Sequence, residues 1–348
     1  MTSQNTAYKW RMPPEWAPHD CTWMAFPTQG YTLGDTPEEA DAARRTWAAV
    51  ANATAAFEPV SMVVAPADAQ IARTLLDPGV QLHEAPLNDA WMRDMGPSFV
   101  LSADGSELGA VDWVFNGWGG QSWANWEHDE KIGQFVAGIA GAEVLSSALV
   151  NEGGGFHIDG EGTVLLTQTV QLDPGRNPDA TRESVQAEFA RCIGADTFIW
   201  VPRGLTRDYD DFGTRGHVDI VATFPSPGVV LVHRQEDNAH PDFAVSELVI
   251  ESLRGAVDSA GRTVEIVEIP APATLRDDDG PVDYSYVNHL VVNGGVIACT
   301  FDDANDARAL DVLRQVYPGR EVVGVDAREL FSRGGGIHCI TQQQPSLG

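Results

Sequence analysis

The chain has 348 residues, with 50 aspartates and glutamates against 22 lysines and arginines and a formal charge of −28. That balance argues against nucleic acid and anionic membrane surfaces as partners, because both would be repelled, and would favour a cationic small molecule. A content of 43% hydrophobic and 21% charged residues is that of a globular protein able to bury a sizeable core.

The N-terminal stretch has no apolar targeting core, and nothing later reaches the ~18 consecutive apolar residues of a membrane span, so a cytoplasmic protein is expected. The cysteines, Cys21, Cys192, Cys299 and Cys339, are too far apart to suggest a zinc knuckle or a disulfide framework.

In chain order, helical periodicity near 3.6 recurs over 37–57, 123–140, 179–193, 243–260 and 305–316. Short β-branched or apolar strands follow at 59–64, 142–145, 197–201, 264–269 and 321–325. A polar, often glycine-rich segment comes after each strand: Trp91 to Pro97, Glu152 to His157, Gly216 to Asp219, Ser285 to His289 and Gly334 to Cys339. Hairpin partners are visible at 162–166, 228–232 and 295–299. Repetition of one supersecondary unit fits radial packing of α/β units about a central axis, in a single domain spanning 1–348. The competing reading is an ordinary three-layer α/β domain.

Radial packing would bring Asp94, Glu152, His217, Asp219 and Cys339 into one pocket. A cysteine titrating near 8.5 needs a base or a nearby positive charge to become a nucleophile, and His217 can serve. Carboxylates beside it would hinder attack on an ester or amide but suit a planar guanidinium with paired N–H donors. The set therefore points to carbon–nitrogen cleavage in a guanidine. Each residue also has a plainer reading: Asp94 a surface ion pair with Arg93, Glu152 a solvated loop charge, His217 and Asp219 a pair of metal ligands, Cys339 a buried packing residue. Trp91, Trp118 and Trp123 are core by default, although a tryptophan lining a cation site is physically sensible.

The strings Asn88 to Pro97, Phe115 to Gly120, Asn151 to Gly154, Gly216 to Asp219, Ser285 to Asn288 and Gly335 to Gln343 resemble the agmatine deiminase family, related to bacterial peptidylarginine deiminases. Met12 to His19 and Arg176-Asn177-Pro178 also fit. The resemblance implies a five-bladed pentein α/β propeller with pseudo-fivefold ββαβ modules. It further implies that Cys339 attacks the guanidinium carbon, that Asp94 and Asp219 hold the guanidinium nitrogens, and that His217 is the general acid and base, oriented by Glu152. A covalent thiouronium would then be hydrolysed to N-carbamoylputrescine, with no metal or organic cofactor. Trp91 and Trp118 join the expected substrate-binding set, and a homo-oligomer is compatible with it.

Departures from the family pattern surround this chemistry. The usual Asp-Asn-Trp run near the N-terminus is absent from Phe26 to Thr32, Ile220 follows Asp219, Gly336 precedes Ile337, and Arg215 replaces an acidic residue ahead of His217. Arg215 has two readings: it meets a substrate carboxylate, as in arginine or a guanidino acid, or it turns to solvent and the neighbouring aspartates. The competing functions are deimination of such an acid, amidino transfer through the same intermediate, and guanidine binding without catalysis.

Overall fold

The computed structural model describes residues 8–278 and 280–348; the N-terminal stretch read above for a targeting signal lies, over 1–7, outside them. The architecture is mixed α/β. Among the described residues, one plan recurs in five small sheets: an antiparallel strand pair, then a parallel strand reached across a helix.

Ser98–Ser102 pairs antiparallel with Leu108–Val114, which runs parallel to Glu143–Val150 after helix Ile132–Ala140. The next three sheets repeat this with Phe156–Ile158, Thr163–Thr167 and Thr197–Val201, with Ala222–Ser226, Val229–Arg234 and Glu265–Pro270, and with Leu290–Val292, Gly295–Thr300 and Glu321–Asp326. The fifth combines strands from opposite parts of the sequence. Thr341–Pro345 pairs antiparallel with His19–Ala25, which runs parallel to Val60–Val64 and through it to Gln81–Glu84.

Local chemistry sets the helix ends. Thr36 and Glu39 form a capping box ahead of Pro37–Ala55, with Pro37 at the first turn, where its missing N–H costs nothing. Helix Arg182–Ile193 starts on the Thr181 cap and stops at Gly194, whose φ of 70° only glycine takes without strain. Two predicted helices fall well short of their predicted bounds, the other three by no more than a turn. The one predicted from 123 begins at Ile132, after the 3₁₀ turn Asp129–Lys131, and Trp123 is drawn instead onto Trp118 with ring centroids 5.3 Å apart. The one predicted to 260 stops at Leu253, where Arg254 turns extended and Gly255 has φ 75°. Strand Glu143–Val150 runs past its predicted end, its Ser146-Ser147 pair having hidden the pattern.

The largest buried side chains include Trp23, Trp47, Phe99, Phe224 and Phe301, while Trp113, Phe156 and Phe189 form a second cluster. No helix among the described residues is long and apolar enough to cross a membrane.

Candidate active site

The polar residues picked from the sequence sit at matching joints, where a parallel strand gives way to the next strand pair. Asp94 lies in the short helix Met92–Met95, Glu152 just after Glu143–Val150, Asp219 in the 3₁₀ turn Val218–Ile220 next to His217, and Cys339 ahead of Thr341–Pro345. The joint between Glu265–Pro270 and Leu290–Val292 supplies a residue not singled out beforehand, Asn288.

All of these are buried, and their side chains meet. Cys339 Sγ lies 3.5 Å from Asp219 Oδ2 and accepts a hydrogen bond from Asn288 Nδ2 at 3.2 Å. His217 Nε2 is 3.2 Å from Glu152 Oε2, while its Nδ1 faces Asp94 Oδ1 at 3.8 Å. Arg176 Nε donates to both oxygens of Glu152 at 3.0 Å, and its other nitrogens reach Asp173 and the Thr214 carbonyl. Asp208 takes the backbone N–H groups of Gly216 and His217, which fixes the turn carrying the imidazole.

His217 Nδ1 and Asp219 Oδ1 are buried and make no hydrogen bond among the described residues. Both residues line the same cavity as Cys339. Unpaired buried polar atoms are costly unless a ligand satisfies them, and a planar cation between an imidazole and a carboxylate would.

Glycine lets the groups approach. A Cβ at Gly154 would collide with the His217 ring and lie 3.0 Å from Asp94 Oδ1, and one at Gly336 would strike the Asn288 amide. Gly154→Ala is therefore expected to displace the imidazole and lower kcat on the order of 100-fold with the fold retained, as read by steady-state rates beside circular dichroism.

The electrostatics follow from this packing. Burial opposes charge on His217, yet Asp94, the Glu152 bond and Asp219 together carry it to about 9. Asp94 is pushed up to about 6 by burial and by Glu152 and Asp219, against the pull of His217. Burial would raise Glu152, but Arg176 and His217 hold it below the usual range. Burial, Asp219 and Asp94 push the Cys339 thiol well above its ordinary value.

The aromatic candidates have different neighbours. Trp118 Nε1 donates to Asp94 Oδ2 at 2.9 Å, while Trp91 Nε1 donates to the Tyr31 hydroxyl at 2.8 Å and its ring packs beside Gly335. Arg215 does not line the cavity: its φ is 66° and its guanidinium sits 3.6 Å from Asp173. The cavity lining instead carries Asp210, Asp211, Asp277 and Asp283 with Arg207, beside Phe212, Tyr284 and Phe331, and the buried Asp208 behind the His217 turn. Burial pushes Asp283 up to about 7. Glu15, His157 and His338 have the donor types of a metal site, but here their atoms face one another, and the Arg93 guanidinium lies 3.3 Å from Glu15 Oε1.

The model of the Porphyromonas-type peptidyl-arginine deiminase family matches residues 11–345. A protein of Streptomyces coelicolor is 58% identical over 96% of this chain and 98% of its own length. An agmatine deiminase of Stutzerimonas stutzeri is 38% identical over 96% of this chain and 95% of its own. Among solved structures, an agmatine deiminase of Enterococcus faecalis superposes with a TM-score of 0.91 at 32% identity, covering 98% of this chain and 97% of the other.

Proposed function

The chain belongs to the Porphyromonas-type peptidyl-arginine deiminase family, and on that premise we propose that it hydrolyses agmatine to N-carbamoylputrescine and ammonia. The observation that carries this reading is the unpaired His217 Nδ1 and Asp219 Oδ1 beside a buried thiol. We take the five like sheets as the blades of a pentein propeller forming one catalytic domain over 1–348.

In the proposed chemistry, Asp94 and Asp219 bind the guanidinium and set its carbon against Cys339 Sγ. Burial and the carboxylates of Asp219 and Asp94 oppose a thiolate in the free site; an arriving guanidinium offsets them, so the thiol releases its proton to solvent on binding, His217 keeps its own, and the Asn288 amide steadies the sulfur. Attack forms the C–S bond. Protonated His217, held through Nε2 by Glu152, gives its proton to one nitrogen, which leaves as ammonia and yields the thiouronium. Neutral His217 then takes a proton from water as the oxygen adds to the carbon. Collapse breaks the C–S bond, frees the thiolate and the hydroxyl proton, and leaves the ureido product.

The acidic lining favours agmatine among guanidines. Asp277 is paired with Arg207 at 2.6 Å and Asp208 is taken up by the His217 turn, but Asp210 and Asp211, with Asp283 when ionised, would attract a distal ammonium and repel a carboxylate, and Arg215 is turned to Asp173. The test is a panel of agmatine, arginine, a blocked arginine ester and short guanidino acids, assayed for ureido product and ammonia. Preferential turnover of agmatine is expected. A winning guanidino acid would overturn the substrate, and an amidino group passed to an amine without ammonia would overturn the hydrolysis.

A further inference from the structure

Outside the cavity, five ionisable groups from distant parts of the sequence gather against the segment that carries the thiol. His338 Nδ1 lies 2.8 Å from Asp219 Oδ2, and its Nε2 lies 2.9 Å from Glu15 Oε1. Glu15 is also 3.3 Å from Arg93 Nη1 and 3.3 Å from His157 Nε2, and its backbone carbonyl is 2.9 Å from His19 Nε2. Arg93 is tied to the same segment: its backbone N–H donates to the Cys339 carbonyl at 3.0 Å and its Nε to the His338 carbonyl at 3.3 Å. All are buried. Such a cluster is expensive to desolvate, and well-packed apolar residues would serve stability at least as well.

We propose that Glu15 and His338 are positioning residues that fix the Asp219 carboxylate, one oxygen against His338 and Cys339 and the other presented to the guanidinium. Asp219 has the matching asymmetry: Oδ2 meets both His338 and Cys339, while Oδ1 has no partner among the described residues. With both ring nitrogens held by carboxylates, His338 has no rotation left that keeps its contacts. Glu15 fixes the imidazole, the imidazole fixes the carboxylate plane, and the plane sets the guanidinium before attack.

The pair also governs charge. Asp219 faces His338, His217, Arg93, Asp94 and Cys339, and His338 faces Glu15, Asp219, Arg93, His157 and His289. Burial and Arg93 disfavour charge on His338, but Glu15 and Asp219 outweigh them. Burial would raise Asp219, but the His338 bond and charge hold it below the usual range. Removing the charge of Glu15 makes His338 lose its proton more readily, and Asp219 is then protonated at higher pH. Asp94, pushed up to about 6, already contributes one ionisation to the acidic limb of activity; because Asp219 must also be ionised to hold a guanidinium, raising it adds a second and the limb becomes steeper and moves upward.

The experiment is the pH profile of kcat/KM for agmatine in Glu15→Gln, with melting curves recorded on the same samples. A loss on the order of 10- to 100-fold, larger at pH 6 than at pH 8, is expected in a protein still folded at the assay temperature. An unmoved acidic limb, or an equal loss at every pH, would overturn the proposal and leave Glu15 as packing. If Glu15→Gln does not fold, His338→Asn removes the imidazole while keeping Glu15 on Arg93 and His157, and the same limb shift decides. The inference rests on the deiminase reading only through the role of Asp219. Failure of that reading would appear separately, as no ureido product from the unaltered chain.

Discussion

Replacing Cys339 by serine is expected to lower ureido formation from agmatine by at least about 10⁴-fold, since a hydroxyl at this position has no base able to make it a comparable nucleophile. Agmatine should still bind, because Asp94, Asp219 and His217 are untouched, and calorimetry would register it. The unaltered thiol offers a second reading of the same site. Burial and two carboxylates push Cys339 up, so its alkylation in the free protein should keep rising beyond pH 9. Cys21, Cys192 and Cys299 are buried and pushed up to about 12, and the serine variant subtracts whatever they contribute. A rate that levels off below pH 8 would mean a thiolate already present without substrate, and would sink the proposal that the guanidinium promotes its formation.

Replacing His217 by asparagine should cost on the order of 10³- to 10⁴-fold in kcat, because in the proposed mechanism one imidazole both protonates the departing nitrogen and activates the water. Glu152 and Arg176 would remain paired, so the loss should come with little change in melting temperature. The unaltered chain should keep its activity to higher pH than an ordinary histidine allows. His217 carries its proton up to about 9, so the alkaline limb is expected near that value. A variant within tenfold of the original would remove His217 from both proton transfers.

Much of this arrangement was legible in the sequence because period and punctuation carry it. Helix, strand and glycine-rich joint recur in order, and Asp94, Glu152, His217, Asp219 and Cys339 stand at the joints. What escaped depends on partners remote in sequence. Glu15 and His338 are 323 positions apart, and nothing near either residue announces the other. Arg176 was visible as part of a motif but not as the clamp on Glu152, and Asn288 closed a string whose meaning required the thiol beside it. Arg215 was ambiguous for a backbone reason. Its φ of 66° and the pull of Asp173 set its direction, and neither is written in residue type. Phe212, in the same left-handed region at φ 69°, stacks on Tyr31 at 4.8 Å and escaped notice in the same way.

The sheet that joins Thr341–Pro345 to His19–Ala25 has a kinetic side. Its contacts include a hydrogen bond from the Trp23 indole to Gln344, 321 positions away, a loop closure whose entropy is roughly 5 kcal/mol. The other four sheets close over shorter separations and can form first. Cys339 stands two residues before the late strand, so a refolding chain would acquire most of its secondary structure while this thiol is still unseated. Recovery of turnover should therefore lag the recovery of helical ellipticity. If the two return together, closure of this sheet is not the last event in folding.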